Sequence, residues 1–215
     1  MPEPVYFNSP LYLTPPSTEA IREHIRAGRL GMIATPRQGN LIEDSYLWCA
    51  DNGVFGNTYP GDLEFLRYLT TLRAHAERCL FVVAPDVVAD HFATWDRSRR
   101  MLGNIRELGF PAALAAQNGM ELDNWYLWDE FDALFIGGDT SWKLGKHAAR
   151  LAQVARDMGK HVHVGRVNSE QRYVYAAEEC RAHSVDGTYL TYGPDRNLPN
   201  VLSWARKVGT HDALF

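Results

Sequence analysis

Apolar residues in this chain gather into short unbroken runs, with stretches of helical spacing between them. Residues 30–34, 46–50, 80–84, 112–116, 133–136 and 161–167 are such runs, and most stop at Pro, Gly, Asp, Asn or Gln. Continuous runs of this length, without alternation, fit strands buried on both faces of a parallel sheet. Val5, Tyr6 and Phe7 predict a first strand, and residues 184–189 a short eighth one. Between them Ser17 or Thr18 caps a predicted helix over residues 18–25, which ends near Gly28. Residues 37–44 are too few for a helix and predict a loop. Asp62 or a neighbour caps a helix carrying Leu63, Leu66, Leu69 and Leu72. A longer helix sets Phe92, Trp95, Leu102 and Ile105 on one side and Arg97, Arg99, Arg100 and Arg106 on the other. Residues 123–130 predict a short aromatic helix with Trp125 and Trp128. Thr140 or Ser141 caps a helix with Leu144, Ala148, Leu151, Val154, Ala155 and Met158 on one face. Asn168 or Ser169 caps another, through Tyr173, Ala176, Ala177 and Cys180, and residues 199–207 predict the last.

Eight mostly continuous strands with helices between most of them predict a compact (β/α)8 TIM-type barrel, a single domain over residues 1–215. An open doubly wound sheet is the structural alternative. In a barrel the chemistry sits where the strands end at their C-terminal side.

Bulk numbers narrow the class. At 215 residues, 46% hydrophobic and 22% charged, the chain is long enough for one full core. A net charge of −4 argues against a general nucleic-acid coat, although it leaves room for a local basic groove. Cys49, Cys79 and Cys180 have no CxxC spacing and form an odd set, so free thiols and a reducing compartment are expected. No apolar run reaches membrane-spanning length, and the N-terminus has no signal-peptide pattern. A cytoplasmic location and no membrane partner are expected.

The strand ends offer Asp51, Asp86, Gln117, Asn118, Gly137, Gly138, Asp139, Arg166, Asn168 and Asp186. A Gly pair after a strand turns the backbone sharply or lets it approach a ligand. Carboxylates suit attack at an anomeric carbon or proton transfer on a heterocycle. An Asp, a Gln amide and exposed Gly amides suit reading a purine edge. Each residue also has a plain structural reading. Asp51 before Asn52 and Gly53 makes a turn, Asp86 caps a helix, Gln117 and Asn118 satisfy themselves in a loop, and Asp186 turns the chain at Gly187. The arginine-rich helix face reads first as solvated surface, and Trp125 and Trp128 as packing under a loop. His161 and His163 alternate on one strand without an evident third ligand. Neither metal nor cofactor is expected.

The order of these motifs resembles the tRNA-guanine transglycosylase superfamily, and in particular its shorter, DpdA-like branch, which inserts 7-deazaguanines into phage and bacterial DNA. The resemblance runs from about Tyr46 to Asn197, with a weaker echo from Tyr6 to Pro36. Ala50-Asp51-Asn52-Gly53-Val54-Phe55 is similar to the family's T-D-S-G-G-F, with Asn52 in place of Ser, Val54 in place of the middle Gly, and Gly56 where a Gln follows. Ala84-Pro85-Asp86, Gln117-Asn118-Gly119 and Gly137-Gly138-Asp139-Thr140-Ser141-Trp142-Lys143 fall where the family reads the base. Val164-Gly165-Arg166-Val167 echoes its M-G-V-G strand, and Val185-Asp186-Gly187-Thr188 falls where F-D-[CS] supplies the nucleophile. The cysteine-rich zinc site of the tRNA enzymes is missing.

The resemblance implies a base-exchanging transglycosylase that replaces guanine in DNA with a 7-deazaguanine such as preQ0, through a covalent aspartyl-glycosyl intermediate. It implies Asp186 as nucleophile and Asp51 as general base, with Asp86, Gln117, Asn118, Gly137, Gly138 and Asp139 at the base. Arg166 neutralises a phosphate or serves as an interior ion-pair residue. Expected partners are DNA and the free base, in a phage or its bacterial host, with a homodimer or a partner subunit left open. The alternatives are the same exchange on tRNA, a base-removing hydrolase, and a non-catalytic purine- or nucleic-acid-binding barrel.

Overall fold

The computed structural model describes residues 9–122 and 125–211, and the side chains of Trp125, Tyr126, Thr210 and His211 are outside that description. Eight parallel strands close into one barrel in sequence order. They are β1 (Leu11–Thr14), β2 (Gly31–Ala34), β3 (Trp48–Ala50), β4 (Cys79–Val83), β5 (Ala112–Ala116), β6 (Ala133–Ile136), β7 (His161–Val164) and β8 (Ser184–Asp186). Closure is made by β1 on β8, where Leu13 stands opposite Asp186. The surrounding helices are α1 (Glu19–Arg26), α2 (Asp62–Thr71), α3 (His91–Glu107), α4 (Thr140–Lys143), α5 (Lys146–Asp157), α6 (Glu170–Glu178) and α7 (Pro194–His211). A loop alone joins β2 to β3, as the sequence predicts, and two short 3-10 turns join β5 to β6.

The first strand differs from its expectation. The predicted Val5–Phe7 strand lies outside the described residues, and β1 is Leu11–Thr14, an apolar run bracketed by Pro10 and Pro15. Four helices also differ in detail. The N-cap of α2 is Gly61, with Asp62 in the first turn, and its buried residues are Phe65 and Leu69 while Leu63 is 61% exposed. On α3 the buried face includes His91, Thr94, Ser98, Met101, Leu102 and Ile105, and Phe92 is 58% exposed. Neither Thr140 nor Ser141 caps the helix after β6. Asp139 does, for the single turn of α4, and Gly145 then opens α5. The last helix begins at Pro194 and absorbs Pro199. Thr18 and Ser169 cap α1 and α6 with their side chains, as expected.

Alternation along each strand divides the core in two. One cluster joins Met32, Ala34, Trp48, Val82, Leu134, Val162 and Val185 to helix residues such as Ile21, Phe65 and Tyr173, and so forms the layer between sheet and helices. The other contains strand residues alone, among them Leu13, Ile33, Cys49, Phe81, Val83, Ala113, Ala115 and Ala133, and fills the barrel. Continuing that inward phase two residues up each strand reaches Asp51 after Cys49, Gln117 after Ala115, and Gly137 after Phe135. The period of the strand therefore places polar groups over the apolar plug.

The three cysteines are buried and free, as the sequence leads one to expect. Among the described residues, no helix is long and apolar enough to cross a membrane.

Candidate active site

A cavity of about 300 Å³ opens at the C-terminal mouth of the barrel. Its floor is Ile33, Val83, Ala115 and Phe135, and its walls carry Asp51, Asn52, Asp86, Gln117, Gly137, Gly138, Arg166 and Asp186. Seven of the ten strand-end candidates border this cavity, and Asn118, Asp139 and Asn168 do not. The Asn118 amide donates to one Asp139 carboxylate oxygen at 2.6 Å, and its own oxygen accepts from the Asp139 amide at 3.0 Å. The other Asp139 oxygen accepts from the Trp142 amide, which caps α4. These two residues brace the rim from outside.

Asp51 combines both of its sequence readings. One carboxylate oxygen accepts from the Gly53 amide at 2.7 Å, which makes the turn, and the group still faces the cavity. Burial, with the neighbouring carboxylates of Asp186 and Asp86, outweighs that hydrogen bond and pushes the Asp51 carboxyl up to about 6.

Asp86 caps no helix, since Asp90 caps α3. Its carboxylate accepts from the Asn52 amide at 3.2 Å and from the Gln117 amide at 2.7 Å. Burial raises its pKa even against those donors and the nearby Arg97. Gln117 is a three-way tie: its oxygen accepts from the amides of Ala89 and Gly138, each at 2.8 Å, while its nitrogen holds Asp86. The Gly138 amide is therefore already engaged, and the Gly137 amide donates to the Ala116 carbonyl. Both amides are thus engaged within the protein. Gly138 is required for another reason. Its φ is +66°, and a Cβ there would lie 2.4 Å from the Trp142 ring.

Asp186 ends β8 and borders the cavity. One oxygen accepts from the Arg166 amide at 2.6 Å, and the other faces His163 Nε2 at 3.8 Å, an ion-pair separation too long for a hydrogen bond. Burial by itself would raise this carboxyl. The facing imidazole, the Arg166 amide and the Lys143 ammonium reverse that and hold it below the ordinary carboxylate range.

Arg166 neither reaches into the barrel interior nor stands free. Its guanidinium lies over the Phe55 ring at 4.7 Å and donates to the Gly138 carbonyl. Of the α3 arginines, Arg97 donates to the Asp86 carbonyl, and Arg106 pairs with Asp132. That helix face is thus partly spent on tertiary contacts.

Sequence reasoning missed two groups near the site. Lys143, at the end of α4, is 1% exposed and donates to the Gly165 carbonyl at 2.7 Å. Burial first, and Arg166 second, push its ammonium down to about 7. His163 is fully buried beneath Asp186. The inward phase of β7 and β8 was the signal for His163, because it sets His163 and Asp186 on adjacent strands within the barrel. Lys143 gave no comparable signal.

Hydrogen bonds join loop to loop around the mouth. Asn52 links the β3 and β4 loops, Gln117 the β4, β5 and β6 loops, and Arg166 the β6 and β7 loops. Asn168 accepts from the Tyr189 amide across the β7 and β8 loops. No group of three or more His, Cys, Asp or Glu residues that could hold a metal occurs among the described residues.

The chain matches no family model and no curated protein. Its fold is shared with solved structures. A 4-hydroxy-2-oxoglutarate/2-dehydro-3-deoxyphosphogluconate aldolase from TTHB1 superposes with a TM-score of 0.57 at 14% identity, covering 94% of this chain and 92% of its own. An enolase from Sargasso Sea environmental sequencing gives 0.56 at 12% identity, covering 85% of this chain and 56% of its own. The YkuI protein of Bacillus subtilis, with its EAL domain, gives 0.51 at 16%, covering 80% and 45%. This chain thus spans little more than half the length of the enolase. At these identities the likeness establishes the (β/α)8 barrel and nothing finer.

Proposed function

We propose that this chain is a base-exchanging transglycosylase acting on a guanine nucleotide of DNA, with a 7-deazaguanine as incoming base. One observation carries the reading. Asp51 and Asp186 share a cavity, and their surroundings push them in opposite directions, Asp51 up to about 6 and Asp186 below the ordinary range. Two carboxylates separated in this way divide the work of proton carrier and permanent anion.

In the first half-reaction an Asp186 oxygen attacks C1′ as the C1′–N9 bond breaks. The bonding pair leaves on N9, and protonated Asp51 supplies its proton. In the second, Asp51 takes the proton from N9 of the incoming base, which attacks C1′ and expels Asp186 as carboxylate. Asp86, already steadied by Asn52 and Gln117, keeps lone pairs for the paired N–H groups of a guanine edge. The apolar floor suits the faces of a flat heterocycle, and flipping the nucleotide out of a duplex costs a few kcal/mol.

The test is expression in a bacterium that makes preQ0, followed by separate nucleoside digests of DNA and tRNA and mass spectrometry. A 7-deazaguanine deoxynucleoside that vanishes with Asp186→Asn is the expected result. Signal confined to tRNA would transfer the reading to that substrate. Abasic sites without a new nucleoside would make the protein a base-removing hydrolase. No change in either pool would set the exchange reading aside.

A further inference from the structure

Beneath the cavity a polar seam runs through the barrel along β7 and β8. His183, whose Nε2 meets the Arg156 guanidinium at 2.8 Å, stacks on His161 at 4.9 Å. His161 Nε2 lies 2.7 Å from the Ser184 hydroxyl, and that same oxygen lies 2.8 Å from His163 Nδ1. His163 is packed against the rings of Phe81, at 5.0 Å, and Phe135, at 4.7 Å, so the ring is held in one plane. Its Nε2 has no hydrogen-bond partner and faces Asp186 at 3.8 Å.

Hydrogen-bond directions in this seam are limited. Burial pushes His161 down to about 3, so its ring is neutral. Ser184 has one proton to donate between two imidazole nitrogens. If His161 Nε2 donates to Ser184, the hydroxyl donates to His163 Nδ1, and the His163 proton must then sit on Nε2, toward Asp186. The reverse order with a neutral His163 would aim a bare Nε2 lone pair at a carboxylate. For a neutral His163 only the first order satisfies every atom while Asp186 is ionised.

We propose that His163 is a positioning residue for Asp186: Ser184, itself held by His161, occupies His163 Nδ1 and thereby keeps an Nε2 proton directed at the carboxylate. The inference rests on the reading of Asp186 as nucleophile. Other charged or titratable groups face the pair from every side. Lys143 and Arg166 come from the β6 and β7 loops, Asp51 and Cys49 from the β3 side, Tyr12 from β1, and His161 from β7 itself. His163 faces the carboxylate oxygen that the Arg166 amide leaves unbonded.

The test needs no substrate, so its failure is separable from failure of the exchange reading. In protein labelled with 15N in its histidine rings, the unaltered chain should show His163 protonated at Nε2, and a bare Nε2 would overturn the proposal. Carboxyl 13C titration then follows Asp186. His163→Asn, whose amide replaces Nδ1 and not Nε2, should raise the proton affinity of Asp186 at least tenfold. His163→Gln sets an amide donor where Nε2 stood and should stay within threefold of the unaltered protein. A rise under threefold in the Asn variant, or an equal rise in both variants, would make His163 packing alone and overturn the assignment. If the Asn variant does not fold, the ring spectrum of the unaltered protein decides by itself. Correct ring and carboxyl behaviour without base exchange would leave this coupling standing and remove the transglycosylase.

Discussion

The amide of Arg166 reaches the carboxylate of Asp186 at 2.6 Å because the Arg166 backbone is left-handed, with φ +59°. A side chain in that region costs about 1 kcal/mol, which glycine avoids. The cost is local and the benefit is an N–H aimed at an anion. Arg166→Gly should therefore be more stable than Arg166→Ala by about 1 kcal/mol in urea denaturation, since both lose the guanidinium and only glycine relieves the backbone. Equal stabilities would show that the left-handed turn is unstrained.

Asp51 gives a pH signature. Its carboxyl lies at about 6 in the folded chain against an ordinary 3.8, so between those values the folded state holds more protons than the unfolded one. Stability then falls as pH rises through this window, and the loss is complete above about 6. Asp51→Asn keeps the oxygen that accepts from Gly53 and should stabilise the protein by about 1–3 kcal/mol at pH 7. Below pH 4 the gain should vanish. The same substitution should abolish base exchange, and in the unaltered protein kcat/KM for the guanine substrate should fall with pH through about 6 as Asp51 loses the proton it donates, while kcat/KM for the incoming base should rise. A stability difference independent of pH would remove Asp51 from the titrating pair.

Lys143 titrates in the opposite sense. Its ammonium is pushed down to about 7 from an ordinary 10.5, so between these values the unfolded chain holds more protons and stability rises with pH. Below about 7 the buried charge costs its full amount. The stability of Lys143→Met relative to the unaltered protein should accordingly be most favourable near pH 6 and decline toward pH 10. Urea midpoints at pH 6 and 9.5 measure this, and a constant difference would place the Lys143 ammonium in water.

Gly187 follows Asp186, and a Cβ there would lie 2.3 Å from Asn168 Oδ1, 2.5 Å from the Val167 carbonyl and 2.7 Å from the Tyr12 hydroxyl. All three neighbours are held by hydrogen bonds of their own, Asn168 to the Tyr189 amide and the Tyr12 hydroxyl to the Val167 carbonyl. Gly187→Ala should cost at least about 2 kcal/mol and lower Tm by roughly 4–8 °C, with loss of activity even where folding survives. A melting temperature within 1 °C of the unaltered protein would contradict the packing described.

How much of this was legible in the sequence depends on what each residue answers to. Strands β2 to β8 could be read because both of their faces are buried, which leaves an apolar run that no helix or loop imitates well. β1 was obscured: Leu11, Tyr12 and Leu13 lie between prolines, and the more aromatic Val5–Phe7 draws the eye. Helix faces failed at Leu63 and Phe92, where period alone favoured an apolar residue that tertiary packing leaves in solvent. Asp51, Asp86, Gln117 and Asp186 could be found because strand ends in a barrel share one rim. The roles of Asn118 and Asp139 could not, since their mutual bonding depends on how the β5 and β6 loops meet. Lys143 was invisible for a related reason, because a polar residue in an apolar setting gains meaning only once its neighbours are known, whereas the place of His163 beside Asp186 was written in the inward phase of β7 and β8.

The ties across the mouth have a consequence for traffic. Asn52, Gln117, Arg166 and Asn168 fasten each loop from β3 round to β8 to the next, so this arc moves as one body. The β2 loop is held differently, by Gln38 to Thr35, Asn40 to Gln38, Tyr46 to Glu43 and an outward pairing of Glu43 with Arg26. Thr35 and Gln38 border the cavity. Displacing Thr35 and Gln38 breaks none of the ties in that arc, so access to the cavity can change on this side without loosening the rest.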